Sequence, residues 1–135
     1  MARPKFAVGT PGVRSLIITL AGVVAAAYEA LTYKVIMPAS GKVVGVTYNA
    51  GAKGGTFSTA ALDVQDDGVS ILGTTIDVAA AVAGTPVSKE GTALAAGAAT
   101  VAKDSVLSIV QTVSGGSSPT HSGATLQIDY VPTGD

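Results

Sequence analysis

YKVIMPASGKVVGVTY, residues 33–48, holds two short apolar runs around a turn. The runs, Tyr33–Met37 and Val43–Tyr48, flank Pro38-Ala39-Ser40-Gly41. Each is rich in β-branched or aromatic residues and too short for a typical helix, so each is expected as a strand. With a period of two, Tyr33, Val35 and Met37 share one face while Lys34 and Ile36 share the other. On the second run, Val44, Val46 and Tyr48 are expected opposite Val43, Gly45 and Thr47. The expectation is an antiparallel corner, one strand entering the turn and the next leaving it.

Upstream, Val13–Leu20 (VRSLIITL) reads as a strand with Leu16, Ile18 and Leu20 on one face. Residues 1–12 carry Pro4, Gly9 and Pro11-Gly12 without periodicity and read as an extended N-terminal arm. Ala21–Leu31 reads as irregular, with room for one short helix.

Downstream, Asn49–Gly55 is expected to be a flexible loop, and Thr56–Gln65 a strand with Leu62 and Val64 inward. Asp66-Asp67-Gly68 should turn the chain into Val69–Leu72, since a type I′ hairpin needs positive φ at both central residues. Thr74–Val78 reads as a short strand. Alanine-rich Ala79–Ala102 is expected to hold strands around Pro86–Lys89 and Thr92–Leu94. Ser105–Val113 is a strong strand introduced by a Lys103-Asp104 turn. Ser114–Gly123 (SGGSSPTHSG) reads as an exposed polar tip. Ala124–Val131 alternates, with Leu126, Ile128 and Tyr130 inward, and Pro132 ends it. About eight short strands punctuated by Gly and Pro predict an all-β, antiparallel β-sandwich or jelly-roll-like fold. The expected division is an arm over 1–12 and one β domain over 13–135.

The 135 residues suffice for one domain with a real core. Hydrophobic residues make up 47% and charged residues 13%, yet Ala and Gly supply much of the apolar count. Aromatics are confined to Phe6, Phe57, Tyr28, Tyr33, Tyr48 and Tyr130. A core of small side chains under a weakly charged surface predicts a protein that gains stability from neighbours. No cysteine is present, which removes disulfides, thiolate metal sites and cysteine nucleophiles. MARPKFAVGTPG has no apolar h-region, and no stretch nears the ~20 apolar residues of a membrane helix, so a soluble chain is expected.

Charge is unevenly placed. Residues 1–42 carry Arg3, Lys5, Arg14, Lys34 and Lys42 against Glu29 alone. Two readings stay open: chance in a low-charge chain, or a basic arm that docks on an acidic partner surface. Scattered cations without interleaved aromatics argue against nucleic acid.

The candidate chemistry is thin. Asp63, Gln65, Asp67 and Gly68 mimic the start of a calcium loop, but position 12 falls on Thr74, so a hairpin turn is expected. His121, the only histidine, stands beside Ser122, and the sequence holds no G-x-S-x-G elbow, so no triad or zinc site is assigned. Gly51, Gly54 and Gly55 surround Lys53 in the wrong order for a phosphate loop. Glu29 and Glu90 form no carboxylate pair. No catalytic, metal-ligating or cofactor-binding residue is expected, and the chain is expected not to be an enzyme.

The pattern V-I-M-P-A-S-G-K-V-V-G-V-T (Val35–Thr47), L-D-V-Q-D-D-G (from Leu62), K-D-S-V-L-S-I-V (Lys103–Val110) and L-Q-I-D-Y-V (from Leu126) resembles small tailed-phage virion proteins. It is similar to capsid cement (decoration) proteins and to head-fibre or receptor-side β domains. The resemblance implies a jelly-roll-like domain, usually a homotrimer, on the outer capsid surface of an icosahedral head. There it would bridge neighbouring major capsid protein subunits after synthesis in the host cytoplasm. It implies no cofactor, no membrane, no nucleic acid and no small-molecule substrate. On this reading the capsid-contacting residues are Arg3, Lys5, Phe6 and Arg14. The alternative is a head-fibre or tail-associated domain that binds a host-surface glycan.

Overall fold

The computed structural model describes residues 12–20, 30–56, 58–82, 84–96, 99–114 and 117–133; of 30–31 and 117–122 it describes the backbone. Twelve strands are present among them: β1 (Arg14–Leu20), β2 (Ala30–Ile36), β3 (Gly41–Asn49), β4 (Ala52–Thr56), β5 (Thr59–Asp66), β6 (Val69–Ser70), β7 (Ile76–Asp77), β8 (Val87–Glu90), β9 (Thr100–Val101), β10 (Val106–Ser114), β11 (Ser117–Ser122) and β12 (Ala124–Pro132). The first sheet runs β1-β12-β3-β8, with β9 also against β3. The second runs β2-β10-β5-β6, with β7 also against β5. All pairings are antiparallel, and side chains from both sheets share one core. The chain passes from sheet to sheet as it proceeds, which is the jelly-roll order. The expected fold class is the observed one.

One long ribbon ties the sheets together. β3-β4-β5 runs against β10-β11-β12, with one register shift between Asp129 and Tyr130 and another between Ser117 and Thr120: Pro132 faces Gly41, Thr125 faces Asn49, Ser122 faces Ala52, Ser117 faces Thr56, Ser114 faces Thr59 and Leu107 faces Asp66. The middle of this ribbon corrects two expectations. Asn49–Gly55 and Ser114–Gly123 were expected as loops, yet the first holds most of β4 and the second holds β11, which pair with each other. β4 buries none of its residues, so it has no apolar alternation to read. Its pairing is imposed by the strands on either side, whose partners already hold the ends together.

A bulge corrects a third expectation. Tyr130 faces Val43 and Asp129 faces Gly45, so Val44 is the extra residue on β3. The inner face therefore passes from Val43 to Val46 and Tyr48, all fully buried, and Val44 is not grouped with them. β2 keeps strict alternation, with Met37 buried and Lys34 and Ile36 exposed.

The corner at 37–40 carries the chain from one sheet to the other, so β2 and β3 do not pair with each other. Backbone bonds fix it: Met37 N–H donates to Ser105 O (2.9 Å), Asp104 N–H to Met37 O (2.9 Å) and Thr133 N–H to Ser40 O (3.0 Å). The Ser40 hydroxyl accepts from Lys103 N–H at 2.9 Å.

Asp67 (φ 53°) and Gly68 (φ 82°) both lie in the left-handed region, as the type I′ hairpin between β5 and β6 requires. Strand β8 matches the expected Pro86–Lys89 strand, but Thr92–Leu94 is not a second one. Gly91–Ala93 is a 3₁₀ turn, and Leu94 makes an isolated bridge to Leu72. Gly73 N–H and Ala95 N–H donate to Ala93 O and Ile71 O, which docks that turn on the second sheet. The expected irregular stretch Ala21–Leu31 falls mostly outside the described residues; its last two belong to β2. Residues 1–11 of the expected arm also lie outside them.

The core consists of aliphatic layers from Val46, Leu126 and Ile128 on one sheet and Leu62, Val64, Leu107 and Ile109 on the other. Tyr48 is buried among them, and burial, with Tyr33 nearby, pushes its phenol well above the ordinary tyrosine range. Gln111 is a buried polar side chain on the inner face of β10, in register with Leu62.

Candidate interaction surface

Strand directions give the sandwich two unlike poles. β2 ends at Ile36 and β3 begins at Gly41, so the corner at 37–40 marks one pole. The β5–β6 turn, the 102–105 connection into β10, the start of β1 and the end of β12 all lie at that pole, by register with β3 and β10. The β4–β11 ribbon spans the other.

The corner pole concentrates exposed apolar side chains. Ile36 (61% exposed) is the direct cross-strand partner of exposed Val106 on the outer face of the second sheet. Exposed Val69 follows the Asp67-Gly68 turn, and exposed Val13 precedes β1 at the same end. Arg14, Lys42 and Lys103 are exposed around them. A protein that stays alone rarely leaves several β-branched residues bare at one end.

Of the sequence-predicted contacts, Arg14 stands at this pole, exposed, at the start of β1. Arg3, Lys5 and Phe6 lie outside the described residues. Sequence reasoning did not single out Ile36, Val69 and Val106 as exposed apolar residues of this pole. The signal was present in Ile36, which alternation had already placed with Lys34 on the outer face.

The carboxylates at this pole do not gather around a vacant centre. Asp63 accepts from its neighbour Val64 N–H (2.9 Å), from Gln65 Nε2 (3.0 Å) and from Ser70 Oγ (2.5 Å), which closes the β5–β6 hairpin. Asp66 has its carboxyl raised above its ordinary value, first by partial burial and then by the Asp67 charge. Among the described residues, no group of three or more His, Cys, Asp or Glu is placed to hold a metal.

Lys53, which the sequence sets among glycines, serves a structural purpose at the opposite pole. Its ammonium donates to Val78 O (3.1 Å), Ala79 O (3.0 Å) and Ala81 O, binding the connection after β7 to the ribbon. An ammonium committed to three carbonyls is poorly placed to cradle a phosphate. His121 pairs with Lys53 through the backbone of β11 rather than sitting at a loop tip.

Two shallow concavities lie on the first sheet. One, about 390 Å³, is lined by Thr47, Asn49, Thr125 and Gln127 with Gly84 and Pro86. Asn49 Oδ1 accepts from Gly84 N–H at 3.1 Å, and the Thr47 and Ser88 hydroxyls lie 3.0 Å apart. The other, about 680 Å³, lies over the bulge at Val44 and is walled by Leu94, Ala95 and Ala99, with Lys42 beside it. No helix among the described residues is long and apolar enough to cross a membrane.

Neither the protein-family models nor the curated proteins include a match to this chain. Among solved structures it is similar to the crystal structure of FLHE, with 13% identity and a TM-score of 0.52, over 88% of this chain and 96% of that one. It also aligns with a chain from the structure of infectious bursal disease virus Gx strain, at 15% identity and a TM-score of 0.41, over 88% of this chain and 32% of that one. The first likeness is one of fold alone.

Proposed function

We propose that this protein is a structural virion protein that binds the outer surface of an icosahedral phage head and cements neighbouring major capsid subunits. The observation that carries the reading is the corner pole. Exposed Ile36, Val106, Val69 and Val13 lie at the end of the jelly roll at which β1 begins. An apolar end supplies contact area, and a cationic segment beside it reaches the next subunit. In this reading the protein performs no chemistry on a substrate. Repeated weak contacts add up once several copies engage one head, and a homotrimer is the copy number the sequence resemblance implies.

Co-sedimentation with empty heads of the cognate major capsid protein tests it. The full chain should pellet with heads at a fixed ratio and raise their thermal stability. The chain without residues 1–12 should bind more weakly. A full chain that stays in the supernatant at every concentration overturns the reading.

The polar concavity of Thr47, Asn49, Thr125 and Gln127 favours a second reading, a fibre- or tail-associated domain that binds a neutral glycan through hydroxyl and amide groups. Glycan-array binding lost in Gln127→Ala, with head binding absent, would favour it.

A further inference from the structure

We propose that the outer edge of β1 pairs with the β1 edge of a second copy, antiparallel about Ile17, to make one sheet continuous across two molecules. β1 hydrogen-bonds to β12 along one side, in unbroken register from Arg14–Tyr130 to Leu20–Ala124. Among the described residues, nothing pairs with its other side. Edge strands are ordinarily blunted by a bulge, a proline or a charge in mid-strand. RSLIITL has none of these: seven residues, no bulge, and its one charge at the first position. Ile17, at its centre, is 67% exposed on the outer face. Leu16 and Ile18 point inward yet stay only half buried, and no described strand lies beyond them. By contrast β2, the corresponding edge of the second sheet, carries exposed Lys34 near its middle.

The occupant follows from the sequence of the strand itself. Pairing two copies about Ile17 matches all seven residues. It sets Ile17 on Ile17 outside and Leu16 on Ile18 inside, and it places Arg14 opposite Leu20, so no like charges meet. A twofold contact of this kind is self-complementary by construction. It goes beyond the capsid-binding reading, because it uses the side of the sandwich rather than its corner pole. Where copies close into rings around a threefold axis, this edge ties one ring to the next.

The absence of cysteine makes the test direct. In the full chain, Ile17→Cys places two thiols face to face, whereas Thr112→Cys, exposed on interior strand β10, does not. Under mild oxidation without heads, Ile17→Cys should give a covalent dimer on a non-reducing gel while Thr112→Cys stays single. Ile17→Lys opposes like charges and should weaken self-association by about tenfold or more in sedimentation velocity. Its circular dichroism should stay that of the original chain, because the side chain is exposed. Cross-linking of Ile17→Cys no faster than that of Thr112→Cys overturns the proposal, whatever oligomer the protein forms. Self-association of Ile17→Lys equal to that of the original chain overturns it equally. A failure to bind heads touches neither result.

Discussion

Gly41 opens β3 with the Tyr130 ring and the Val131 carbonyl closing over it. A Cβ there would stand 2.6 Å from Tyr130 Cδ2 and 3.0 Å from Val131 O. Tyr130 is buried and cannot swing aside, so Gly41→Ala should cost about 1–3 kcal/mol in denaturant unfolding. At Gly45 the nearest atom is Glu90 Cγ at 3.4 Å, the stem of an exposed side chain, so Gly45→Ala should change stability by under about 1 kcal/mol. The Asp66–Asp67 pair predicts a pH effect. A carboxyl whose folded pKa stands above its unfolded one binds a proton more readily when folded. Its contribution to stability therefore improves as pH falls through that range and is unfavourable above it. Asp67→Asn removes the second cause of the Asp66 shift and suits the positive φ at that position. The variant should melt higher than the original chain at pH 7, and the difference should narrow as pH falls below the carboxylate range.

Strands differed in how openly they declared themselves. Leu126, Ile128 and Tyr130 on β12, and Leu62 and Val64 on β5, alternate with polar neighbours because one face of each strand is buried. β4 and β11 gave no such sign: exposed β4 is composed of Ala, Lys, Gly and Thr, and only the long-range register reveals it. The bulge at Val44 escaped for a related reason, since period-two reading assumes that no residue is skipped. If β4 is held mainly by its neighbours and by Lys53, its amides should exchange with solvent faster than those of β5 and β10. Lys53→Met would remove three carbonyl partners and should lower stability by about 1–2 kcal/mol, with the fastest exchange appearing in β4 and at 78–81.

At the scale of the whole molecule, fold class was legible because turn chemistry and alternation agree along the chain. The exposed apolar end was legible only in part, because an exposed Ile36 and a buried Ile109 look alike in a sequence, and only the assembled sheets distinguish them. The double variant Ile36→Thr, Val106→Thr removes apolar area from exposed side chains while keeping them β-branched, so its melting temperature should stay within a few degrees of the original, while head binding should fall by about tenfold or more. Retention of full head binding by this folded variant would remove the corner pole from the capsid contact.

The neighbouring ends of β1 and β12 also decide how the molecule bears force. Arg14 and Tyr130 are cross-strand partners, so a load drawn between residues 12 and 133 opens the first sheet one rung at a time, like a zip. Each rung then carries the whole tension alone. Spread across the corner, the same tension would fall on the 37–40 backbone bonds and both sheets at once. A molecule fastened by this corner would therefore hold firmly, and one fastened by a single terminal strand only feebly.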